Sequence, residues 1–257
     1  MNDWNAAQYL KFNRERTQPA IDLVNRLTIA APERVLDIGC GPGNSTQVLA
    51  RKFPNAFICG VDNSPDMIET AKQNLPGVTF CLLDASKDLS ALEHNFDIVF
   101  SNACIQWIPN HPQLIREMLS LLRPGGELAI QTPRQDALQI HNILRQLAAG
   151  PKWSSYFPQQ RVFYNLSLEE YFDLLAEAAA DFTIWQTTYM HRMDGYTAIL
   201  EWYRGTGLRP YLNALPENLH QEFEQEFLEQ LQQFYSVQKN GQILFPFPRL
   251  FLLATAK

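Results

Sequence analysis

Residues 34–50 read RVLDIGCGPGNSTQVLA, and the reading of this stretch decides the fold. RVLDIG is an apolar run with the length of a short buried strand. Gly39, Gly41 and Gly43 then alternate through a turn, and GNSTQVLARKF follows with helical spacing and Asn44 or Ser45 as its expected cap. Strand, glycine turn and helix in that order make a nucleotide-binding unit, and the spacing separates its kinds. A dinucleotide turn is G-x-G-x-x-G, whose third glycine allows close packing of the helix. Counted from Gly39 or from Gly41, that place holds Asn44 or Thr46. A phosphate loop ends in Gly-Lys-Ser/Thr, which is absent. The pattern is D-x-G-x-G-x-G, with Asp37 at the strand end. A carboxylate there repels a pyrophosphate and attracts a ligand carrying positive charge.

Outward from this turn the unit repeats. AFICGVD reads as a second strand, and SPDMIETAKQNL as a helix with Ser64 as cap, Pro65 at its first position and Asp66 in its first turn. VTFCLLDA is a third strand, FDIVFSNA a fourth, HPQLIREMLSLL a helix, and GELAIQTP a fifth strand after a Pro-Gly-Gly break. Near-continuous apolar strands alternating with helices imply a parallel sheet covered on both faces. Asp62 closes the second strand, where a carboxylate can take two ribose hydroxyls. Asp84 closes the third, where a carboxylate can accept from an adenine amine. Any one of these acids alone reads as a cap or turn residue. Three at successive strand ends outline a cationic end, a ribose and a base, at the edge where open α/β sheets bind ligands.

Beyond residue 134 the pattern changes. DALQIHNILRQLAAG, SLEEYFDLLAEAAA and ENLHQEFEQEFLEQLQQFY have helical spacing; the last sets Leu219, Phe223, Phe227, Leu231 and Phe234 on one stripe. FTIWQTTYMHRM and RLFLLATA read as strands that pair antiparallel at one sheet edge, with helices around 196–236 forming a cap. The expected organisation is a single domain over 1–257. It comprises a helical lid over 1–30, a cofactor-binding core over 31–133, and cap helices with a C-terminal hairpin over 134–257.

Apolar residues make up 46% of the 257 and charged residues 19%, ordinary values for a globular chain. A formal net charge of −6 argues against a broad nucleic-acid surface. No apolar run approaches the ~20 residues that span a bilayer, and the polar start MNDWNAAQYLKFNRER has no signal core. No membrane partner and a cytoplasmic location are therefore expected. Cys40, Cys59, Cys81 and Cys104 are well separated and form no C-x-x-C pair. They are expected to be small buried thiols rather than a metal site or a redox dithiol.

LDIGCGPG, GVDNSPDMI, LLDA, FDIVFSNACIQWIPN and LLRPGGELAIQTP, in that order and at these spacings, resemble the class I S-adenosylmethionine-dependent methyltransferases. The resemblance implies a Rossmann-like, doubly wound α/β fold: a seven-stranded, mostly parallel sheet with an antiparallel C-terminal hairpin, plus a helical cap. It implies S-adenosylmethionine as cofactor, leaving as S-adenosylhomocysteine. It implies that the turn from Gly39 through Gly41 to Gly43, with Asp37 and Asn44, approaches the cofactor's amino-acid part. Asp62 would bind the ribose, Asn63 and Met67 flank the adenine, and Asp84 and Ala85 hold the base edge. Asn102, Ala103 and Trp107 would lie by the methionine moiety and the methyl group.

DWNAAQYLKFNRERTQPAIDLV, SNACIQWIPNH, IWQTTYMHRM, GTGLRPYL and NGQILFPFPRLFLLA resemble the branch of that family that esterifies small polycarboxylic acids of the trans-aconitate type; residues 134–170 resemble it least. A carboxylate with a pKa near ~4 is ionised at pH 7, so no general base is required. Catalysis then rests on alignment and on stripping water from the nucleophile. Cationic forks suit a tricarboxylate. The candidates are Arg209, Arg249 and Arg14 or Arg16, with Tyr189 and His191 as polar partners. Trp4, Tyr9 and Phe12 read either as a lid over the cofactor or as the packed face of an amphipathic helix. A carrier-bound carboxylate, such as the malonyl thioester of biotin synthesis, is the alternative acceptor, and a cofactor-binding protein without catalysis is the third reading. The expected partner is a small-molecule acid, with no nucleic acid and no metal. The sequence leaves the oligomeric state open.

Overall fold

The computed structural model describes residues 13–87, 89–158, 162–205 and 207–257, with side chains from Thr17 onward. Seven strands form one sheet: β1 (Arg34–Ile38), β2 (Phe57–Asp62), β3 (Thr79–Leu82), β4 (Phe96–Asn102), β5 (Leu122–Pro133), β6 (Asp181–Met193) and β7 (Ile243–Thr255). Their order is β3-β2-β1-β4-β5-β7-β6. β1 to β5 pair in parallel. β7 runs antiparallel to β5, with Gln131 opposite Phe251 and Pro133 opposite Arg249. The doubly wound, mostly parallel sheet expected from the alternating pattern is thus present. Strand order reverses between β1 and β4, whose carboxyl ends flank the crevice where such sheets take ligands.

The helices are α1 (Asn13–Val24), α2 (Asn44–Lys52), α3 (Pro65–Asn74), α4 (His111–Ser120), α5 (Gln139–Ala149), α6 (Leu168–Ala178), α7 (Tyr196–Arg204), α8 (Arg209–Ala214) and α9 (Glu217–Phe234). α3 starts as its sequence dictates: Ser64 caps the Met67 amide at 3.4 Å, and Pro65 and Asp66 fill the first turn. α6 carries a full capping box between Ser167 and Glu170.

Several local expectations are corrected. α2 is capped by neither Asn44 nor Ser45: its N-cap is Gly43, at φ 95°, and no side chain caps it. The Ser45 hydroxyl is drawn instead to the buried Asp37 carboxylate, which has greater need of a donor. β3 ends at Leu82, so Asp84 lies two residues past the strand, where its carbonyl accepts the Lys87 amide and opens a turn. β5 runs through Pro124–Gly125–Gly126 by a register shift, where β4 moves from pairing Leu122 to pairing Glu127. On α9 the stripe ends differently, with Phe234 48% exposed and Tyr235 buried. One helical step of four from Leu231 reaches Tyr235, which packs on Phe245 at 5.4 Å. Cys81 is exposed, unlike Cys40 and Cys59.

The chain divides into two compact units. Among the described residues, a sheet unit comprises 13–133, 163–187 and 249–257, and a helical unit comprises 134–162 and 188–248. In the sheet unit, Leu36, Ile38, Val99, Leu128 and Leu252 join Ile115, Met118, Tyr171 and Leu175 from α4 and α6 in one core. α1 also buries Ala20, Leu23 and Val24. The chain after α1 is pinned by the buried Glu127 carboxylate, which accepts from the Thr28 amide and hydroxyl and the Ile29 amide. In the helical unit, Phe223, Phe227 and Leu231 of α9 are fully buried. Each contributes about 1.5–3 kcal/mol of apolar burial. Trp153 meets Phe223 edge-on at 5.1 Å while its indole N–H donates to Glu226 at 2.6 Å. Among the described residues no helix is long and apolar enough to cross a membrane. Trp4, Tyr9 and Phe12 lie outside the described residues. Arg14 and Arg16 fall in α1, with side chains outside the description.

Candidate functional site

The site lies at the carboxyl ends of β1, β2 and β4 in the sheet unit. Asp37, on β1, is fully buried. One of its oxygens accepts from the Ser45 hydroxyl at 2.7 Å and the Thr46 hydroxyl at 2.6 Å, both in the first turn of α2. Its other oxygen is buried with no hydrogen-bond partner. Burial pushes the Asp37 carboxyl up to about 6, against the two hydroxyl donors and with help from the Asp62 charge. The N-terminal end of α2, where an anion would gain from the helix dipole, therefore already faces a carboxylate of the chain itself.

The turn between β1 and α2 spends its own amides internally. Gly39 and Cys40 donate to the Val61 carbonyl at 2.8 and 3.0 Å, and Gly43 donates to Cys40 at 3.1 Å. Gly41 donates to Asp62 Oδ2 at 3.0 Å, and Pro42 has no N–H. A phosphate would find no free amide within the turn. Gly39 itself is fixed by two facts: its φ is 75°, and a Cβ there would stand 2.2 Å from Cys104 Sγ. The turns after β1 and β4 touch at this point, and only glycine fits.

Asp62 ends β2, half-buried. Besides the Gly41 amide on Oδ2 it accepts the Ser64 amide on Oδ1 at 2.9 Å. Burial raises its pKa, opposed by the amides of Ser64, Gly41 and Asn63. Each oxygen keeps a second lone pair for a ligand hydroxyl. Met67 is buried beneath, and Asn63 is exposed. Asp84 and Ala85 are partly exposed. Asp84 Oδ1 accepts both the hydroxyl (2.6 Å) and the amide (3.0 Å) of Ser86, and these bonds hold its carboxyl below its usual range. Asp84 thus shapes its own turn.

After β4, Ala103 adopts a left-handed backbone at φ 55°, which a residue with a Cβ holds only under constraint. Its N–H donates to the Gln131 carbonyl at 2.8 Å, and its carbonyl accepts from Gln106 Nε2 at 2.7 Å. Gln106 is held in turn by Thr132, and Thr132 by Asn165. Asn102 Oδ1 is buried without a partner. Trp107 closes a short helical turn, 5.1 Å from the Phe163 ring. Behind it, His111 is buried between the Tyr171 hydroxyl at Nδ1 (2.6 Å) and the Ile105 carbonyl at Nε2 (2.8 Å). A carbonyl only accepts, so Nε2 carries the proton and Nδ1 accepts from Tyr171. Burial lowers the His111 pKa, favouring this neutral form.

The structure therefore brings Asp37, the Gly39–Gly43 turn, Asn44, Asp62, Asn63, Met67, Asn102, Ala103 and Trp107 to neighbouring strand ends of one unit. Among the acceptor candidates, Tyr189 and His191 stack on one side of β6 at 6.5 Å, and the buried His191 also meets Trp202 at 4.9 Å. Arg209 opens α8 in the helical unit, while Arg249 is buried on β7 in the sheet unit. Sequence reasoning missed the roles of Ser45 and Thr46, the Gly39–Cys104 contact and the bracing segment 163–165. That last segment has neither strand nor helix period. A ligand with an ammonium group and ribose hydroxyls fits what is present, because the partnerless oxygens of Asp37 and Asn102 and the spare lone pairs of Asp62 are all acceptors.

Residues 29–195 match a family model described as a methyltransferase domain. The chain is 43% identical, over 99% of its length and 98% of the relative's, to a trans-aconitate 2-methyltransferase of Methylobacterium nodulans. It is 40% identical to the protein of that name from Escherichia coli, over 99% of this chain and 98% of that one. Among solved structures it resembles the YcgJ protein of Bacillus subtilis, with a TM-score of 0.60 and 17% identity over 93% of this chain and 99% of that one. A Haemonchus contortus phosphoethanolamine N-methyltransferase solved with S-adenosylhomocysteine matches with a TM-score of 0.58 and 19% identity, over 93% of this chain and 53% of that one. The structural likenesses speak for the fold; the sequence likenesses run the full chain. The chain belongs to the methyltransferase domain family, and within it to the family of the trans-aconitate 2-methyltransferases.

Proposed function

We propose that this chain transfers the methyl group of S-adenosylmethionine to a carboxylate of trans-aconitate or a closely similar polycarboxylic acid, giving the monomethyl ester and S-adenosylhomocysteine. The observation that carries the reading is the extent of the likeness: the alignment runs over 99% of this chain and so takes in the helical unit as well as the sheet unit. Bound S-adenosylmethionine supplies an electrophilic methyl, which the acceptor carboxylate oxygen takes as the carbon–sulfur bond breaks and its electron pair passes to sulfur.

The chain's own part is to bind and align. Asp37 and the turn from Gly39 to Asn44 seat the cationic amino-acid end, and Asp62 holds the ribose. Asn63, Met67, Asp84 and Ala85 line the adenine, and Asn102, Ala103 and Trp107 border the methyl. Arg209, Arg249, Arg16, Tyr189 and His191 are each candidates for contacting the acid. The nucleophile is already ionised at neutral pH, so no side chain need take a proton. A net charge of −6 suits a small acid held at a local cationic site better than a docked acidic carrier protein. Cytoplasmic location fits the same reading.

The test is transfer of isotopically labelled methyl groups to a panel of free di- and tricarboxylic acids and to a malonyl carrier thioester. Ester formation on trans-aconitate is expected. Transfer to the carrier thioester alone moves the reading to that acceptor, and calorimetry without S-adenosylhomocysteine binding overturns the methyl donor.

A further inference from the structure

One buried side chain in the sheet unit has no structural task. Gln131, near the end of β5, is fully buried, and neither Nε2 nor Oε1 has a hydrogen-bond partner. An orphaned buried amide costs stability. Its neighbours on the strand are, by contrast, engaged: Thr132 with Gln106 and Asn165, and Glu127 with Thr28 and Ile29. A fully enclosed amide with both ends idle marks a place prepared for a ligand.

The register shows which ligand is near. Asp37 pairs with Phe100, Asn102 lies two residues beyond Phe100, Asn102 pairs with Gln131, and Pro133 pairs with Arg249. Paired residues point to the same face, as do residues two apart. Asp37, Asn102, Gln131 and Arg249 therefore share one face at the carboxyl ends of the strands. Gln131 stands two strand spacings from β1, about 10 Å, on the side away from β2 and its ribose acid. Arg249 lies one strand over and two residues along, about 8 Å from Gln131 between Cα atoms. Along this face the order is carboxylate, amide, amide, guanidinium.

We infer that Gln131 binds the carboxylate that becomes methylated, its Nε2 donating to that group and its Oε1 turned toward the cationic end of the methyl donor. This assignment rests on the carboxyl-transfer reading above and adds the residue that selects the reacting group. A reacting carboxylate has to keep one oxygen lone pair exposed and nucleophilic. A bidentate guanidinium fork engages both oxygens with a full positive charge. A neutral amide gives one directed hydrogen bond and leaves the charge on the acid. Arg249, one strand away, is suited to a carboxylate of the acid that does not react.

The experiment compares wild type with Gln131→Leu, which preserves volume, and Gln131→Glu, which sets a carboxylate against the acid. Steady-state methylation of trans-aconitate is measured together with S-adenosylhomocysteine affinity by calorimetry and thermal midpoint. For Gln131→Leu, kcat/KM for the acid is expected to fall about 10–100-fold, the range of one hydrogen bond to a charged group. S-adenosylhomocysteine affinity stays within about twofold, and the thermal midpoint is unchanged or higher. Gln131→Glu loses more. A purely structural amide would behave in the opposite way, with a lower midpoint and weaker binding of both ligands. Retention of the acid's kcat/KM within about twofold in Gln131→Leu, while wild type esterifies the acid, overturns this inference alone. A wild type that esterifies no carboxylate overturns the underlying reading as well.

Discussion

Asp37 should make cofactor binding pH-dependent. Its carboxyl is raised from 3.8 to about 6 by burial in the protein without ligand. The group is wholly buried, so the difference is a stability cost of about 3 kcal/mol at neutral pH. The sign follows from its direction. The folded chain holds this proton more tightly than the unfolded one, so the favourable contribution is complete below pH 3.8 and is lost as the pH rises through 6. A ligand ammonium beside Asp37 reverses the preference by favouring the ionised form. If binding returns the carboxyl to its ordinary value, affinity for S-adenosylhomocysteine rises about tenfold between pH 5 and pH 7, and binding at pH 6 releases about half a proton. Asp62, also raised by burial, acts in the same direction. Isothermal titration calorimetry in buffers of different ionisation enthalpy reads both quantities. Asp37→Asn should flatten most of the slope. Equal affinity at pH 5 and pH 7 in wild type, with no proton released, would refute the placement of the ligand's cationic end at Asp37.

Three further outcomes are expected. Gly39→Ala sets a methyl 2.2 Å from Cys104 Sγ at a backbone of φ 75° and should cost about 2–5 kcal/mol in urea denaturation; Cys104→Gly in the same chain recovers the part due to the contact and not the part due to the backbone, and no recovery would place the strain elsewhere. Asp62→Ala removes both a ribose acceptor and the anchor of the Gly41 amide, so S-adenosylhomocysteine affinity should fall at least tenfold; unchanged calorimetric affinity would show that Asp62 is not the ribose acid. Glu127→Gln turns a carboxylate that accepts from Thr28 and Ile29 into an amide with one fewer acceptor, a loss of about 1–3 kcal/mol seen as faster hydrogen exchange of both amides.

What was legible in the sequence was whatever local periodicity or chain punctuation encodes. The five parallel strands show as apolar runs, α3 shows in Ser64-Pro65-Asp66, and the acids Asp37 and Asp62 mark strand ends because little else polar interrupts those runs. What was not legible depends on which strand ends become neighbours. Cys104 touches Gly39 only because β4 pairs with β1 across 63 positions of chain (Val35 with Ile98), and no spacing rule links them. Asn44 and Ser45 looked like caps because a polar residue ahead of an apolar run usually is one. A buried carboxylate on the adjoining strand redirected the Ser45 hydroxyl. Phe234 and Tyr235 are three and four steps from Leu231, both permitted by helical spacing, and only the position of Phe245 decides between them. Gln131 read as an ordinary strand residue, and its isolation appears only once the bonds of its neighbours are placed.

The sign of the ligand's charge is set by the same competition. A glycine turn leading into a helix presents amides and a positive dipole end, which by themselves suit phosphate. In this chain the turn amides are consumed by Val61, Cys40 and Asp62, and the first turn of α2 is engaged by Asp37 through Ser45 and Thr46. An arriving pyrophosphate would face a buried carboxylate and no unspent amide in the turn. An ammonium meets the partnerless oxygen of Asp37 and lowers the cost of keeping it ionised. Two chains can therefore share the strand–turn–helix outline and bind ligands of opposite charge. The residues that separate them here are one aspartate ahead of the turn and two hydroxyls behind it.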